Sequence, residues 1–140
     1  MSQSTSKTSD LSPRVLIVMP DQWRRALIRA ALREVGYDAV GVRGLRQARL
    51  VRTSLAGRGP VRLVIVDQDA LIEANSAIVT ALAKRLGTLD AILVARATVR
   101  PPEGPWRRVL RRPVSVAEVV RAVEELVPLG PEMKHPIDLT

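Results

Sequence analysis

The sequence predicts an α/β fold: a parallel sheet with helices on both of its faces. Three observations lead there. Five short apolar runs alternate with stretches whose apolar residues recur at helical spacing. The central run, Val61–Asp69 (VRLVIVDQD), is uninterrupted from Leu63 to Val66, as in a strand covered on both sides. Glycines and prolines fall between the segments. Strands joined by helical crossovers lie parallel, and open parallel sheets bind ligands beyond the carboxyl ends of their strands. Asp67, with Asp69 just past it, closes the central run at that end.

The first strand is Arg14–Met19 (RVLIVM), ended by Pro20. Asp21 follows and can cap a helix by accepting from free backbone N–H groups. The helix runs to about Val35, with Leu27, Ile28, Ala31, Leu32 and Val35 in one stripe and Arg24, Arg25, Arg29 and Arg33 facing away. Gly36 suits the position just past its end, and Ala39–Val42 is a short second strand. A second helix is expected over Leu45–Leu55, with Leu45, Ala48, Val51 and Leu55 inward and Arg46, Arg49 and Arg52 outward. The segment Gly57–Pro60 stops it before the central strand.

The third helix spans about Asn75–Leu86, with Ile78, Val79, Leu82 and Leu86 inward and Gly87 as its stop. Ala91–Ala95 (AILVA) is the fourth strand. The stretch after it carries Pro101, Pro102 and Pro105, and proline lacks the N–H a helix interior needs. Val109 and Leu110 mark a short fifth strand. Ser115 opens the last helix, with Glu118 three residues on as a capping box. Val116, Val119, Val120, Val123 and Val127 line its apolar face, and Pro128 ends it. Residues 1–12 and 129–140 read as flexible tails around one domain, 13–128.

Composition narrows the function classes. The 140 residues are 46% apolar, a globular proportion. No apolar run approaches the ~18 residues of a membrane span, and the polar N-terminus has no secretory apolar core. Cysteine is absent, which excludes disulfides and thiolate metal sites. The expected location is the cytoplasm of a bacterial cell. The net charge is +8, with 19 arginines against 3 lysines. That balance fits either attraction to a polyanion or solvated basic helix faces. Trp23, Tyr37 and Trp106 are too few to build a stacking platform for single strands. No catalytic triad, ligand cluster or glycine-rich phosphate loop is visible, and the one histidine, His135, lies in the tail. The chain is not expected to be an enzyme.

Five βα units of this length, Asp67 ending the third strand, and the Arg111–Leu126 segment (RRPVSVAEVVRAVEEL) resemble the receiver domain of bacterial two-component response regulators, the CheY-like superfamily. The likeness covers about residues 13–128. It implies a flavodoxin-like, doubly wound, five-stranded parallel sheet of order 2-1-3-4-5. In that family the carboxylate ending strand three takes a phosphoryl group. Acidic residues after strand one hold Mg²⁺, a hydroxyl after strand four and a lysine before a proline contact the phosphoryl group, and an aromatic on strand five moves with the switch.

Carried over position by position, the acceptor is Asp67. The acidic pair falls on Met19 and Pro20, neither of which can ligate a hard cation. The hydroxyl position falls on Ala95, the lysine on Arg112 and the switch aromatic on Val109. Asp21 and Asp69 are the remaining carboxylates that could approach a metal. The favoured reading makes Asp67 a vestigial acceptor held by Arg112 in an ion pair, with no metal site, no cofactor and no use of Mg²⁺. Ala95 and Arg112 are only 17 positions apart, so the fourth helix is expected to be short or missing. The loop that replaces it carries Arg96, Arg100, Trp106, Arg107 and Arg108, which are candidates for binding a partner.

The resemblance thus implies a pseudo-receiver, a module that binds another signalling protein, either a sensor kinase or a downstream target. A homodimer is compatible with it, and no membrane insertion is expected. The alternatives are a true phosphorelay receiver phosphorylated on Asp67 and a basic module that binds nucleic acid or another polyanion.

Overall fold

The computed structural model describes residues 11–52, 56–71, 76–87, 90–98 and 100–130. In chain order they form β1 (Arg14–Val18), α1 (Gln22–Val35), β2 (Asp38–Val42), α2 (Leu45–Ala48), β3 (Val61–Asp67), a 3₁₀ turn (Gln68–Leu71), α3 (Ser76–Leu86), β4 (Ala91–Ala95), β5 (Trp106–Arg111) and α4 (Val116–Leu126). All strand pairs are parallel, and the order across the sheet is β2-β1-β3-β4-β5. This is the doubly wound order that the resemblance implies. Among the described residues no helix lies between β4 and β5, where the prolines fall.

The two-residue period of a strand sorts its side chains between the faces of the sheet. Val15, Ile17 and Met19, with Leu63 and Ile65 of β3 and Ile92 and Val94 of β4, pack against Ile28 and Leu32 of α1 and Val119 and Val123 of α4. Leu16, Val18, Val64 and Val66 face the other way, onto Leu45 and Ala48 of α2 and Val79, Leu82 and Leu86 of α3. Tyr37 sits in the first of these clusters, and its hydroxyl donates to the carbonyl of Val127 at 2.6 Å, tying the end of α4 to the start of β2.

The helix ends follow their sequence signals. The Asp21 carboxylate accepts from Arg24 N, so α1 starts where the cap was expected. Gly36 adopts φ 129°, and its N–H closes onto Leu32 and Arg33 carbonyls. The box of Ser115 and Glu118 is made in both directions.

Several expectations are corrected. The second helix ends at Ala48, not Leu55, and Thr53–Leu55 lies outside the described residues. Its late carbonyls are taken by side chains from elsewhere. Arg85 donates to Ala48 and Val51, and the buried Arg14 donates to Arg52 and Gly59. With those acceptors occupied, the chain satisfies its backbone without a further helical turn. β5 is longer than Val109–Leu110 because Arg107 and Arg108 point to solvent from an edge strand, where charge is tolerated. Leu27 and Ile78 are exposed, although the helical spacing puts both on the inward stripe. Leu11, Ser12 and Leu129 are half-buried, beside Gly59 and the first core cluster respectively. The remaining tail positions, 1–10 and 131–140 with His135, lie outside the described residues, as does Asn75. Among the described residues, no helix is long and apolar enough to cross a membrane.

Candidate functional site

Asp67 continues the alternation of Leu63 and Ile65, so its side chain points to the sheet face that α1 covers. In a parallel sheet the helix after β1 begins beside the carboxyl ends of the strands. The first turn of α1 therefore stands over Asp67. Arg24, three residues past the Asp21 cap, donates from NH2 to Asp67 Oδ2 at 2.9 Å. Arg112, just past β5, donates from NH2 to Oδ1 at 2.6 Å. The backbone N–H of Asp69 donates to the same Oδ1 at 2.8 Å. The Asp67 side chain has no exposed surface. A buried carboxylate needs compensation of this kind, because an unpaired charge there is expensive.

The network continues outward. The Arg112 guanidinium also lies 3.1 Å from Asp69 Oδ2, and Arg96 Nε donates to Asp69 Oδ1 at 3.0 Å. Arg24 Nε is 3.5 Å from Asp21 Oδ2, so this side chain bridges Asp21 and Asp67. Three carboxylates thus face three guanidinium groups, and the cluster is neutral. Burial pushes the Asp69 carboxyl up, but the Arg96 hydrogen bond and the Arg112 charge outweigh it, and its pKa falls below the ordinary value. Asp21 is also lowered, chiefly by the N–H of Arg24 at the helix cap. Arg112 fits with one cost: its Nε is buried without an acceptor among the described residues. The peptide bond from Arg112 to Pro113 is cis.

The other expected positions fall around this cluster. Met19 is fully buried under α1, and its carbonyl accepts from Arg25 at 2.7 Å. Pro20 is exposed, and its carbonyl is 3.4 Å from the same guanidinium. Ala95 is buried, and the next residue's N–H donates to Gln68 Oε1 at 2.8 Å. Val109 lies on β5, partly open to solvent. Met19, Pro20 and Ala95 bring no side-chain oxygen to Asp67. Among the described residues no three His, Cys, Asp or Glu side chains are grouped to hold a metal ion. A hard divalent cation wants near-octahedral oxygen ligands. In this chain Arg24 and Arg112 stand against both Asp67 oxygens.

Two corrections concern α1. The helical stripe puts Arg24 and Arg25 on its outer face, yet Arg24 contacts Asp67, and Arg25 turns to the end of β1. The Arg25 stem lies across Gly41 of β2, where a Cβ would come within 2.9 Å of Cγ, so glycine permits the approach. Sequence reasoning missed Arg24 and Gln68 as members of the site. The available signal was the pairing of Asp21 and Arg24, a long cation in the first turn of the helix that follows β1.

The arginine loop is largely neutralised by the chain itself. Besides the Arg96–Asp69 pair, Arg107 meets Asp90 at 2.8 Å and Arg108 pairs with Glu125. Trp106 is half-buried in the second core cluster. Its indole N–H donates to Pro102 at 2.9 Å, and Gly104 packs against the ring. Arg100 is exposed.

No protein-family model matches the sequence, and no curated protein does. Solved structures do match. The signal receiver domain of an HD domain-containing protein from Pseudomonas fluorescens Pf-5 is 19% identical, with a TM-score of 0.67 over 83% of this chain and 94% of that one. A response regulator receiver protein from Pseudomonas putida is 22% identical, with a TM-score of 0.63 over 81% and 97%. An orphan response regulator of H. pylori is 16% identical, with a TM-score of 0.61 over 83% and 97%. The sheet order, the position of Asp67 and these likenesses together give this chain the fold of a response regulator receiver domain.

Proposed function

We propose that this chain is a non-enzymatic signalling module of the two-component type, a pseudo-receiver that acts by binding another protein and does not depend on Mg²⁺ or phosphorylation. The observation that carries the reading is the state of Asp67. Both carboxylate oxygens are engaged, Oδ2 by Arg24 and Oδ1 by Arg112 and the Asp69 N–H, and no part of the side chain is exposed. A carboxylate that takes a phosphoryl group must present a free oxygen in line with the leaving group, with cations placed for the incoming charge. Here the cations already neutralise the carboxylate. Asp67 then serves as the anion that holds α1, β3 and the end of β5 in one arrangement. Partner binding is assigned to β5 and the loop before it, where Arg100 and Val109 are exposed and Trp106 fixes the backbone.

The test is incubation with acetyl phosphate and Mg²⁺ followed by intact mass measurement, with Asp67→Asn as control. The reading expects no phosphoryl adduct above that of the control. A stoichiometric adduct that the control lacks would instead support a relay receiver in which Arg24 and Arg112 swing from Asp67 to the phosphoryl oxygens.

A further inference from the structure

The positive charge of this chain is not spread evenly. Residues 22–58 hold nine arginines and two carboxylates, a surplus of seven out of the whole chain's +8. From Ala39 to Val66 there is no Asp or Glu at all, while six arginines occur. At the β5 edge Arg107 and Arg108 each meet a carboxylate. At the opposite edge, beside β2, Arg43, Arg46, Arg49 and Arg52 are exposed, and none of them forms an ion pair among the described residues. They recur every third residue. The backbone bonds run i to i+4 from Gly44 to Arg49 and tighten to i+3 only at Leu50 and Val51, so Arg46 and Arg49, three apart on this turn, are neighbours on its surface, with Arg43 just before it and Arg52 just after. Arg85 of α3 adds its guanidinium against the carbonyls of Ala48 and Val51.

We infer that this row is a binding surface for the phosphodiester backbone of double-stranded nucleic acid. Arginine's planar fork matches phosphate oxygens in pairs, which suits a row of arginines better than a row of lysines. A protein partner needs an apolar centre, and among the described residues the row offers only Leu50 as a strongly exposed large apolar side chain. The other strongly exposed large apolar side chain among the described residues, Trp23, belongs to α1, which packs on the opposite face of the sheet. No helix here is long enough to enter a groove, since α2 has four residues. The contacts are therefore to phosphates, and binding is independent of sequence. The inference does not rest on the reading of Asp67.

The test is fluorescence anisotropy of the full chain with a labelled DNA duplex across a salt series. Four phosphate contacts give a slope of log K against log salt of about −3.6. Arg43→Gln, Arg46→Gln and Arg49→Gln together should remove about 2.7 of that slope. The corresponding triple lysine variant should keep it, as should Arg107→Gln with Arg108→Gln, and unchanged far-ultraviolet dichroism verifies folding in each. Absence of binding by the wild type, an unaltered slope in the glutamine triple, or equal affinity for polyglutamate of matched charge would overturn the proposal.

Discussion

Arg24 of α1 and Asp67 of β3, 43 residues apart, are joined from NH2 to Oδ2 at 2.9 Å. The bond links the first turn of a helix to the end of the central strand. With Arg112 on the other oxygen, the charge of Asp67 is balanced from within the chain.

Removing one of these partners should therefore cost stability. Arg24→Gln leaves Asp67 buried with Arg112 and one N–H, and the expected loss is about 1–3 kcal/mol. Urea unfolding of Arg24→Gln, Asp67→Asn and the double variant measures it. The two single losses should fail to add, with a coupling above about 1 kcal/mol. Additive losses would mean that the pair contributes nothing of its own.

Acid should weaken the fold through the same network and through the cap of α4. Asp21 and Asp69 have lowered pKa values in the folded chain, as does Glu118 through its hydrogen bonds with Ser115. A lowered folded value means that the stabilisation is present above the unfolded value, about 4, and is lost as pH falls through the folded one. Denaturation followed between neutral pH and pH ~3 should show stability falling over the last unit or so. Asp69→Asn should start lower and decline less steeply.

Tyr37, the only tyrosine, gives a clean titration at the other end of the scale. Burial, with the charge of Glu124, pushes its pKa up to about 12. The raised value means that its contribution is whole below the ordinary value of about 10 and is lost as pH climbs through the folded one. Phenolate absorbance should rise about two units later in the native protein than in denaturant. Tyr37→Phe, which removes the bond to Val127, should cost about 1 kcal/mol.

The capping box predicts a separable effect. Ser115→Ala removes the acceptor for Glu118 N, and the expected cost is about 1 kcal/mol by thermal unfolding. Ser115→Asp, which restores an acceptor, should recover most of it.

The fold was legible because its signals are local and periodic. Leu63 to Val66, the proline gap before β5, the Asp21 cap and the Ser115 box each fix an element by short-range chemistry. The Arg112 pairing with Asp67 was legible through the basic residue before proline that the receiver resemblance implies. Arg24 was not. A helical stripe sorts residues by angle around the axis, and Arg24 falls outside the apolar arc. It sits in the first turn, however, where a long side chain can extend past the helix end toward the sheet. The short α2 was hidden for a different reason: Arg14 and Arg85, distant in sequence, supply the donors that end it. The paired state of Arg96, Arg107 and Arg108 was hidden in the same way, since Asp69, Asp90 and Glu125 meet them only through the fold.

If Arg24 and Arg112 take the part of a cation at Asp67, the protein should not bind magnesium there. A magnesium titration followed by the backbone amide signals of Asp21, Asp67 and Asp69 tests this. No saturable movement of these three signals is expected at millimolar metal, beyond the uniform drift that ionic strength alone produces. Saturable shifts confined to them, abolished by Asp67→Asn, would contradict it.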